Sequence, residues 1–298
     1  MKAKVFITGI TGCVGHYIFD LLIKNPEYEL YLLVRNPKKM MRDLSGVRVI
    51  QDELKNIKNH EDLLAQMDYV VHAAAGWGET EANDEYTLNF FNLLNPEKVK
   101  KVIYFSTASI LGSDNKLVPG LDKIGTSYIK GKFRCHRQLP KLKIYDKIIT
   151  LYPTWVLGGS KNHPYSHATE GIKSAVKWLW LVRFFTFDLS FHFIHAADIA
   201  LIVDYLLKNE TKEKNYVLGN QLITATELIK QICRFFHKRV YFMIKISSSL
   251  VKLLAGRRLS DWDRYCLDKK DFSYGVVNPE AFGLKSNYNT LSEILDSL

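Results

Sequence analysis

A tyrosine and a lysine, Tyr128 and Lys132, stand four residues apart in a segment with helical spacing. Side chains at this spacing share one face of a helix, so we expect the two groups to lie side by side. A tyrosine with a pKa near 10 is a poor proton shuttle at neutral pH, and a neighbouring ammonium is expected to lower that pKa. Such a tyrosine gives or takes a proton at a carbonyl or alcohol oxygen. Taken alone, the pair is also typical of a solvated helix face.

Hydroxyl side chains follow a buried run of the chain. Residues 99–105 are predicted to be a strand, and Ser106, Thr107 and Ser109 come directly after it. Open α/β sheets bind ligands beyond the carboxyl ends of their strands. We therefore expect these hydroxyl groups to lie near a ligand.

A glycine-rich string follows the first predicted strand, residues 4–8, and leads into helical spacing over residues 14–23. Glycines let the backbone turn tightly and approach a pyrophosphate, and a helix N-terminus offers free N–H groups to the anion. The string therefore predicts a dinucleotide-binding loop, with a plain strand-to-helix turn as the alternative. The loop residues expected to contact the cofactor are Gly9, Thr11, Gly12, Cys13, Val14 and Gly15.

A basic residue, Arg35, follows the second predicted strand, residues 29–34. An acidic residue there would accept hydrogen bonds from the adenosine ribose of NAD, whereas a guanidinium suits a 2′-phosphate. Lys38 and Lys39 stand close behind. The segment therefore favours NADP over NAD as the cofactor and leaves NAD open. A solvated basic turn is the alternative.

The elements that must position these groups alternate along the first half of the chain. Further strands are predicted at 47–50, 69–73 and 147–151, and a further helix at 61–67. This alternation indicates an α/β fold with a doubly wound parallel (Rossmann) sheet covered on both faces. We expect residues 1–156 to form the dinucleotide-binding domain, with residues 196–220 returning to it. Residues 157–195 and 221–298 are expected to form a smaller C-terminal substrate-binding lobe.

The order of these motifs resembles that of the extended short-chain dehydrogenase/reductase family, which includes the NAD-dependent epimerase/dehydratase group. The matching stretches are TGITGCVG at 8–15, HAA at 72–74, ST at 106–107, YIKGK at 128–132, Pro153 after the sixth strand, and FIHAADIA at 193–200. The resemblance implies that Thr107 binds the substrate oxygen, Tyr128 is the acid/base, and Lys132 holds the ribose and tunes Tyr128. It also implies cofactor contacts by Ala73, Ala74 and Pro153.

Within this family the residues favour the reductase branch. Dehydratases carry acidic residues after the threonine of strand five, where this chain has Ala108 and Ser109. Nucleotide-sugar epimerases usually show Arg-Pro-x-Asn after strand six, where this chain has the run YPTW at 152–155. We therefore predict an NADP(H)-dependent oxidoreductase that moves a hydride to or from a carbonyl or alcohol of a small-molecule substrate. A nucleotide-sugar epimerase and a non-catalytic cofactor-binding regulatory or assembly protein stay open as alternatives.

The composition bounds the remaining function classes. The 298 residues are 47% hydrophobic, which excludes a mainly disordered chain, and 41 Lys+Arg against 31 Asp+Glu give a net charge of +10. The four cysteines form no CxxC pair and no signal-peptide pattern precedes the first strand, so we expect a cytoplasmic protein with reduced thiols. No motif supports binding to nucleic acid.

Two further clusters suggest partners only weakly. His163, His167, His192 and His195 lack an acidic partner at a matching spacing, so no metal is expected. Residues 173–187 combine tryptophan and phenylalanine with lysine and arginine, which leaves open a substrate lid, a peripheral membrane contact or a homodimer contact. Packing of the smaller lobe on the sheet is the favoured interpretation of this segment.

Overall fold

Parallel strands form the central sheet of the molecule. The computed structural model describes residues 2–76, 78 and 80–297, and within them seven strands pair in the order β11-β6-β5-β4-β1-β2-β3. The strands are β1 (Ala3–Thr8), β2 (Tyr28–Val34), β3 (Arg48–Gln51), β4 (Tyr69–His72), β5 (Lys101–Phe105), β6 (Ile148–Pro153), β7 (Trp155–Leu157), β8 (Phe185–Phe187), β9 (Ser190–Phe191), β10 (Phe193–His195), β11 (Asn215–Leu218), β12 (Ile223–Thr224), β13 (Ile244–Ile246) and β14 (Asp271–Phe272). All pairs in the central sheet are parallel, which confirms the predicted fold class.

The α-helices of the described residues are α1 (Cys13–Leu22), α2 (Glu61–Leu64), α3 (Glu85–Asn92), α4 (Leu121–Ile124), α5 (Ser127–Gln138), α6 (His167–Val176), α7 (Leu179–Val182), α8 (Ala196–Lys208), α9 (Ala225–Phe235), α10 (Ser248–Ala255), α11 (Asp261–Lys269) and α12 (Leu291–Asp296). Of these, α1 and α8 pack on one face of the central sheet, and α3 and α5 pack on the other. Side chains alternate along β1, so Val5 and Ile7 pack with α1 and α8, whereas Phe6 packs with Phe90 and Phe91 of α3 on the other face. A strand that is apolar on both sides therefore requires two helical layers.

The element boundaries differ from the predicted ones where the chain enters or leaves the sheet. In place of the helix predicted at 61–67, the structure has the shorter α2, which ends at Leu64 and is preceded by a 3₁₀ helix, Leu54–His60. The chain leaves α2 because the Asp68 N–H donates to the Lys4 carbonyl beside β1, at 3.0 Å. Strand β6 extends to Pro153, which pairs with Leu218 of the edge strand β11.

The chain after β6 forms small sheets beside the central one. Strand β7 pairs with β10, β9 lies between β12 and β14, and β8 pairs with β13. Helix α9 begins with a capping box between Thr224 and Glu227. Two elements return to the central layer, since α8 packs on α1 and β11 completes the sheet. Within the described ranges, every helix is too short or too polar to cross a membrane.

Candidate active site

The carboxyl ends of the central strands bring the predicted site residues to one edge of the sheet. Because β1, β2, β4, β5 and β6 run parallel, the residues that follow them share this edge. The glycine loop follows β1, Arg35 follows β2, Ala73 follows β4 and Thr107 follows β5. Pro153 is the last residue of β6.

Each of the three glycines of the loop occupies its position for a different structural reason. Gly9 has φ +76°, and a Cβ added there would lie 2.4 Å from the carbonyl carbon of Ala73. A Cβ at Gly15 would lie 2.3 Å from the Gly9 carbonyl oxygen. At Gly12, however, an added Cβ would approach only the Gly9 oxygen among the described atoms, at an ordinary 3.4 Å. The packing of the protein therefore requires Gly9 and Gly15. At Gly12, by contrast, the lack of a side chain leaves room for a ligand to come close to the protein backbone.

The first turn of α1 faces the same loop. Gly12 is the N-cap residue, and no side chain of the described ranges caps this end of the helix. Its N–H groups are thus available to an anion, as a pyrophosphate requires. Burial raises the pKa of the Cys13 thiol to about 12, against the opposing effect of a hydrogen bond from the Ser166 backbone. Cys13 is therefore a neutral thiol and not a nucleophile.

A cleft of about 470 Å³ opens over the glycine loop. Six of the predicted cofactor residues line it: Gly9, Thr11, Gly12, Arg35, Ala73 and Ala74. Cys13, Val14 and Gly15 lie in the first turn of α1, outside the lining found among the described residues, as does Pro153. Lining residues that the motifs did not indicate include Asp52, Glu53, Tyr86 and His167. The residues after β3 had no motif to mark them, although their position at a strand end is the signal that could have found them.

Charges of both signs face the cleft near Arg35. Arg35 is exposed, and Lys39 lines the cleft with it. The pKa of the Glu53 carboxyl is lowered first by the hydrogen bond from Lys55 and then by the charges of Lys55 and Arg35. The Lys55 ammonium lies 2.6 Å from that carboxylate. In this part of the cleft the basic residues Arg35, Lys39 and Lys55 therefore outnumber the acidic Asp52 and Glu53.

The predicted catalytic residues meet at the end of β5. Tyr128 and Lys132 both lie on α5, as their spacing predicted. The fully buried Lys132 ammonium donates to the Phe105 carbonyl at 2.7 Å and lies 4.8 Å from the ring centre of Tyr104. Thr107 hydrogen-bonds to the Tyr128 hydroxyl. The structure therefore joins the three side chains through the last residues of one strand.

Burial sets the protonation of this group. It lowers the pKa of Lys132 to about 8 and raises that of Tyr128 to about 12, while the hydrogen bond from Thr107 acts to lower the Tyr128 value. The expectation that Lys132 lowers the pKa of Tyr128 is therefore wrong for this structure. The physical reason is that desolvation of the phenol outweighs the other effects, and the Lys132 ammonium is directed to a backbone carbonyl.

A buried histidine, His72, links the end of β1 with α3 beside this group. His72 accepts or donates at both ring nitrogens: Nδ1 lies 2.7 Å from Thr8 Oγ1 and Nε2 lies 2.9 Å from Thr87 Oγ1. The Thr87 hydroxyl donates to the Ala82 carbonyl, so it accepts from Nε2–H, and Thr8 donates to Nδ1. Burial, followed by the charge of Lys132, lowers the pKa of His72 well below its usual value. His72 is therefore neutral, a role that the sequence motif alone did not reveal.

The other histidines bind protein groups. His163 Nε2 lies 2.8 Å from the Asp20 carboxylate, which also pairs with Arg42. His192 Nδ1 lies 2.7 Å from the Asn220 carbonyl, and the His195 ring stacks on Tyr288 at 3.8 Å. In the described part of the chain no group of three or more His, Cys, Asp or Glu side chains is arranged to hold a metal ion.

Solved structures with this architecture include several enzymes. The Bordetella bronchiseptica enzyme WbmG, in complex with NAD and UDP, is 15% identical, with a TM-score of 0.72 over 100% of this chain and 93% of that one. The UDP-N-acetylglucosamine 4-epimerase of Methanobrevibacter ruminantium M1 is 18% identical, with a TM-score of 0.71 over 100% and 97%. The dTDP-glucose 4,6-dehydratase of Bacillus anthracis is 15% identical, with a TM-score of 0.71 over 99% and 95%. These identities are low, so the likeness is one of fold.

The fold and the loop define an enzyme of the short-chain dehydrogenase type. The model of the NAD dependent epimerase/dehydratase family matches residues 5–219, and the chain belongs to this family. The predicted family and enzyme class are thereby confirmed, and the cofactor is a nicotinamide dinucleotide. A comparison with curated protein sequences found no match.

Proposed function

We propose that the protein is an NADP(H)-dependent oxidoreductase acting on a carbonyl or alcohol of a small molecule. The arrangement at the end of β5 is the observation that carries this proposal: Thr107 bonds to the Tyr128 hydroxyl while Lys132 is bound to the Phe105 carbonyl. A proton donor, a hydroxyl partner and an ammonium at one strand end are what reduction of a carbonyl needs.

The cleft over the glycine loop fits a dinucleotide. Gly12 leaves space that the protein does not need, and the first turn of α1 offers uncapped N–H groups to the pyrophosphate. Arg35 and Lys39 would bind a 2′-phosphate, which supports NADP over NAD. When bound, the cofactor supplies or accepts the hydride.

Each catalytic side chain has a role that follows from its protonation. With a pKa of about 12, Tyr128 keeps its proton near neutral pH and can donate it to a developing alkoxide. Thr107, which is hydrogen-bonded to the Tyr128 hydroxyl, would bind the same oxygen. Lys132, with a pKa of about 8, is mostly charged at neutral pH, and its bond to the Phe105 carbonyl holds it where it would bind the ribose of the cofactor.

The proposal is tested with Tyr128→Phe and a panel of aldehydes and ketones, monitored by NADPH oxidation. We expect kcat to fall by about 10²- to 10⁴-fold while the Kd for NADPH stays unchanged, because only the transferable proton is lost. Tyr145→Phe, at an exposed position away from this site, is the matched control. Loss of NADPH binding together with turnover would make Tyr128 a structural residue, and unchanged turnover would refute the acid/base role.

The cofactor preference is tested with Arg35→Ala, compared with Lys38→Ala. Lys38 is close in sequence but is not among the described lining residues of the cleft. We expect Arg35→Ala to raise the Kd for NADPH by about tenfold or more, since a charge-assisted bond to the 2′-phosphate is lost, and to leave the Kd for NADH nearly unchanged. Equal effects of Arg35→Ala on the Kd values of both cofactors would favour NAD, and an equal effect of Lys38→Ala on the Kd for NADPH would refute a specific bond from Arg35.

A nucleotide-sugar epimerase is the second candidate. Its support is the family itself and the likeness to a UDP-N-acetylglucosamine 4-epimerase. An epimerase interconverts a UDP-sugar with its epimer without net change in the cofactor. Chromatography of UDP-sugars after incubation with the protein and NAD therefore separates the two candidates, because the reductase needs NADPH in stoichiometric amounts.

A further inference from the structure

Two segments of the C-terminal region lie side by side at the protein surface. Strand β8 pairs with β13 in parallel, with Phe185 opposite Ile244, and the Phe184 ring stacks on Phe242 at 5.1 Å. Helix α10 begins two residues after β13. We call residues 178–187 and 241–258 the basic aromatic surface.

Large apolar side chains of this surface are open to solvent. Trp178 and Trp180 are 60% and 61% exposed. On α10, Leu250, Leu253 and Leu254 share one helix face by their spacing, and the last two are each 78% exposed. None of the residues of α10, all of which the structure describes, is buried. Single exposed apolar residues are ordinary on a protein surface, but a helix face and a pair of tryptophans in adjacent segments call for a partner.

The charge of this region has one sign. Residues 171–187 contain three Lys and Arg, residues 228–258 contain eight, and neither range contains Asp or Glu. Neighbouring segments supply acidic groups: Asp188 pairs with Lys245 at 3.1 Å, Asp268 pairs with Lys252, and α11, the helix after α10, begins with Asp261 and Asp263. The partner of this surface must therefore tolerate apolar side chains and carry negative charge.

We infer that the basic aromatic surface docks the protein on an anionic lipid bilayer. Tryptophan rings are stable at the boundary between headgroups and acyl chains, and an amphipathic helix face buries its leucines in the same layer. Lysine and arginine then lie at the depth of the anionic headgroups. The protein lies on the membrane in this arrangement, since the described helices are too short or too polar to cross it.

A second copy of the chain is a poorer occupant of the same surface. In a twofold dimer the interface contacts itself, so basic residues of one copy would face basic residues of the other. Nucleic acid would match the charge but would leave the leucine face of α10 in water. A bilayer with anionic headgroups satisfies both the charge and the apolar area.

The full chain is tested by sedimentation with vesicles of phosphatidylcholine, with and without phosphatidylglycerol. We expect at least about tenfold stronger partition onto the anionic vesicles, because several basic residues near such a surface each contribute severalfold. In about 1 M NaCl the difference should largely disappear, since the Debye length then falls to about 3 Å. Equal partition onto both kinds of vesicle, or none onto either, would overturn the proposal.

Paired variants locate the contact. Leu253→Ser with Leu254→Ser should weaken partition by about tenfold, whereas Met41→Ser with Tyr145→Ser, at exposed apolar positions elsewhere, should not. Arg257→Glu with Arg258→Glu should also weaken partition by about tenfold. The control is Lys24→Glu with Lys58→Glu, at exposed positions elsewhere, which changes the net charge equally and should have a smaller effect. Equal losses in the controls would mean that net charge alone binds the vesicles and would overturn the assignment.

Tryptophan fluorescence gives a first readout on the unmodified protein, and a conservative variant then locates the contact. Brominated lipid in the anionic vesicles should quench the tryptophan fluorescence, and Trp178→Phe with Trp180→Phe should remove that quenching. Persistent quenching in that variant would place the contact elsewhere. A vesicle-free dimer that Leu253→Ser with Leu254→Ser abolishes in analytical ultracentrifugation would assign the surface to a second copy instead.

Discussion

Helices α1 and α10 have similar local patterns and opposite surroundings. Each is short and carries aliphatic residues three and four positions apart. In α1, Ile18 and Leu22 are buried between the central sheet and α8. In α10 the leucines at the same kind of spacing face solvent. The comparison teaches that periodicity identifies the apolar side of a helix, whereas the partner of that side is decided by elements distant in sequence.

The largest expected difference in stability concerns two glycines with positive φ: Gly9, in the loop before α1, and Gly256, directly after α10. Gly9→Ala should lower the free energy of unfolding by about 4 kcal/mol or more, since its Cβ would lie 2.4 Å from the backbone of Ala73 in addition to the strained φ. Gly256→Ala should cost about 1 to 3 kcal/mol from backbone strain alone, because no described atom lies within 4 Å of the added Cβ. Urea denaturation of both variants measures the difference. Equal losses would show that strain alone, and not the contact with Ala73, requires Gly9.

A matched pair of leucines tests the helices themselves. Leu22→Ala in α1, at 1% exposure, should lower the free energy of unfolding by about 2 to 5 kcal/mol, because the deletion leaves a cavity beside the sheet. Leu254→Ala in α10 should change it by about 0.5 kcal/mol or less. A loss above about 2 kcal/mol for Leu254→Ala in dilute solution would mean that α10 has a partner within the protein or in a second copy.

A bond between α8, which packs on α1, and the segment before α12 gives the smallest of the main effects. Asp198 of α8 accepts a hydrogen bond from Ser286 at 2.7 Å, while its Oδ1 atom has no partner among the described residues. Burial raises the pKa of Asp198 from 3.8 to about 6. A carboxyl group with a raised folded-state pKa favours the folded state at low pH, and this contribution is lost as pH rises through about 6.

Asp198→Asn should therefore stabilise the protein by about 1 to 3 kcal/mol near neutral pH, because the amide removes the buried charge. Below pH 3.8, the unfolded value, the variant and the original chain should have nearly equal stability. Thermal melts across this pH range measure the gap, and Asp146→Asn, at an exposed position, should show none. If Asp198→Asn instead lowers the stability at neutral pH, other groups of the protein stabilise the Asp198 charge, and the argument from burial is refuted.

Much of the candidate site follows from local rules in the sequence. Gly9 and Gly15 are required by a turn and by a close contact, so their type reports their geometry directly. The spacing of Tyr128 and Lys132 needs only a helix to become a shared face. Sequence reasoning missed the contact of Gly131 with the segment before α3, where an added Cβ would lie 2.6 Å from the Asn83 Cβ.

The remainder depends on contacts between distant segments. The direction of the Tyr128 pKa shift follows from its burial, which no spacing rule reports. The His72 network joins Thr8, Thr87 and Ala82, which come from three different elements or loops. In the smaller sheets, strands of two or three residues such as β8 and β13 are too short to show an alternating pattern.

The position of β11 in the sheet has a consequence for synthesis of the chain. Strand β6 ends at Pro153, and its neighbour β11 begins only at Asn215. At roughly 5 to 20 residues per second, a ribosome needs about 3 to 12 s to make the stretch between them. During that interval one edge of β6 has no neighbour, and an apolar strand with an open edge recruits other nascent chains. The nascent protein is therefore most prone to aggregate in the seconds before residue 218 leaves the ribosome, when a chaperone that covers an open strand edge would protect it.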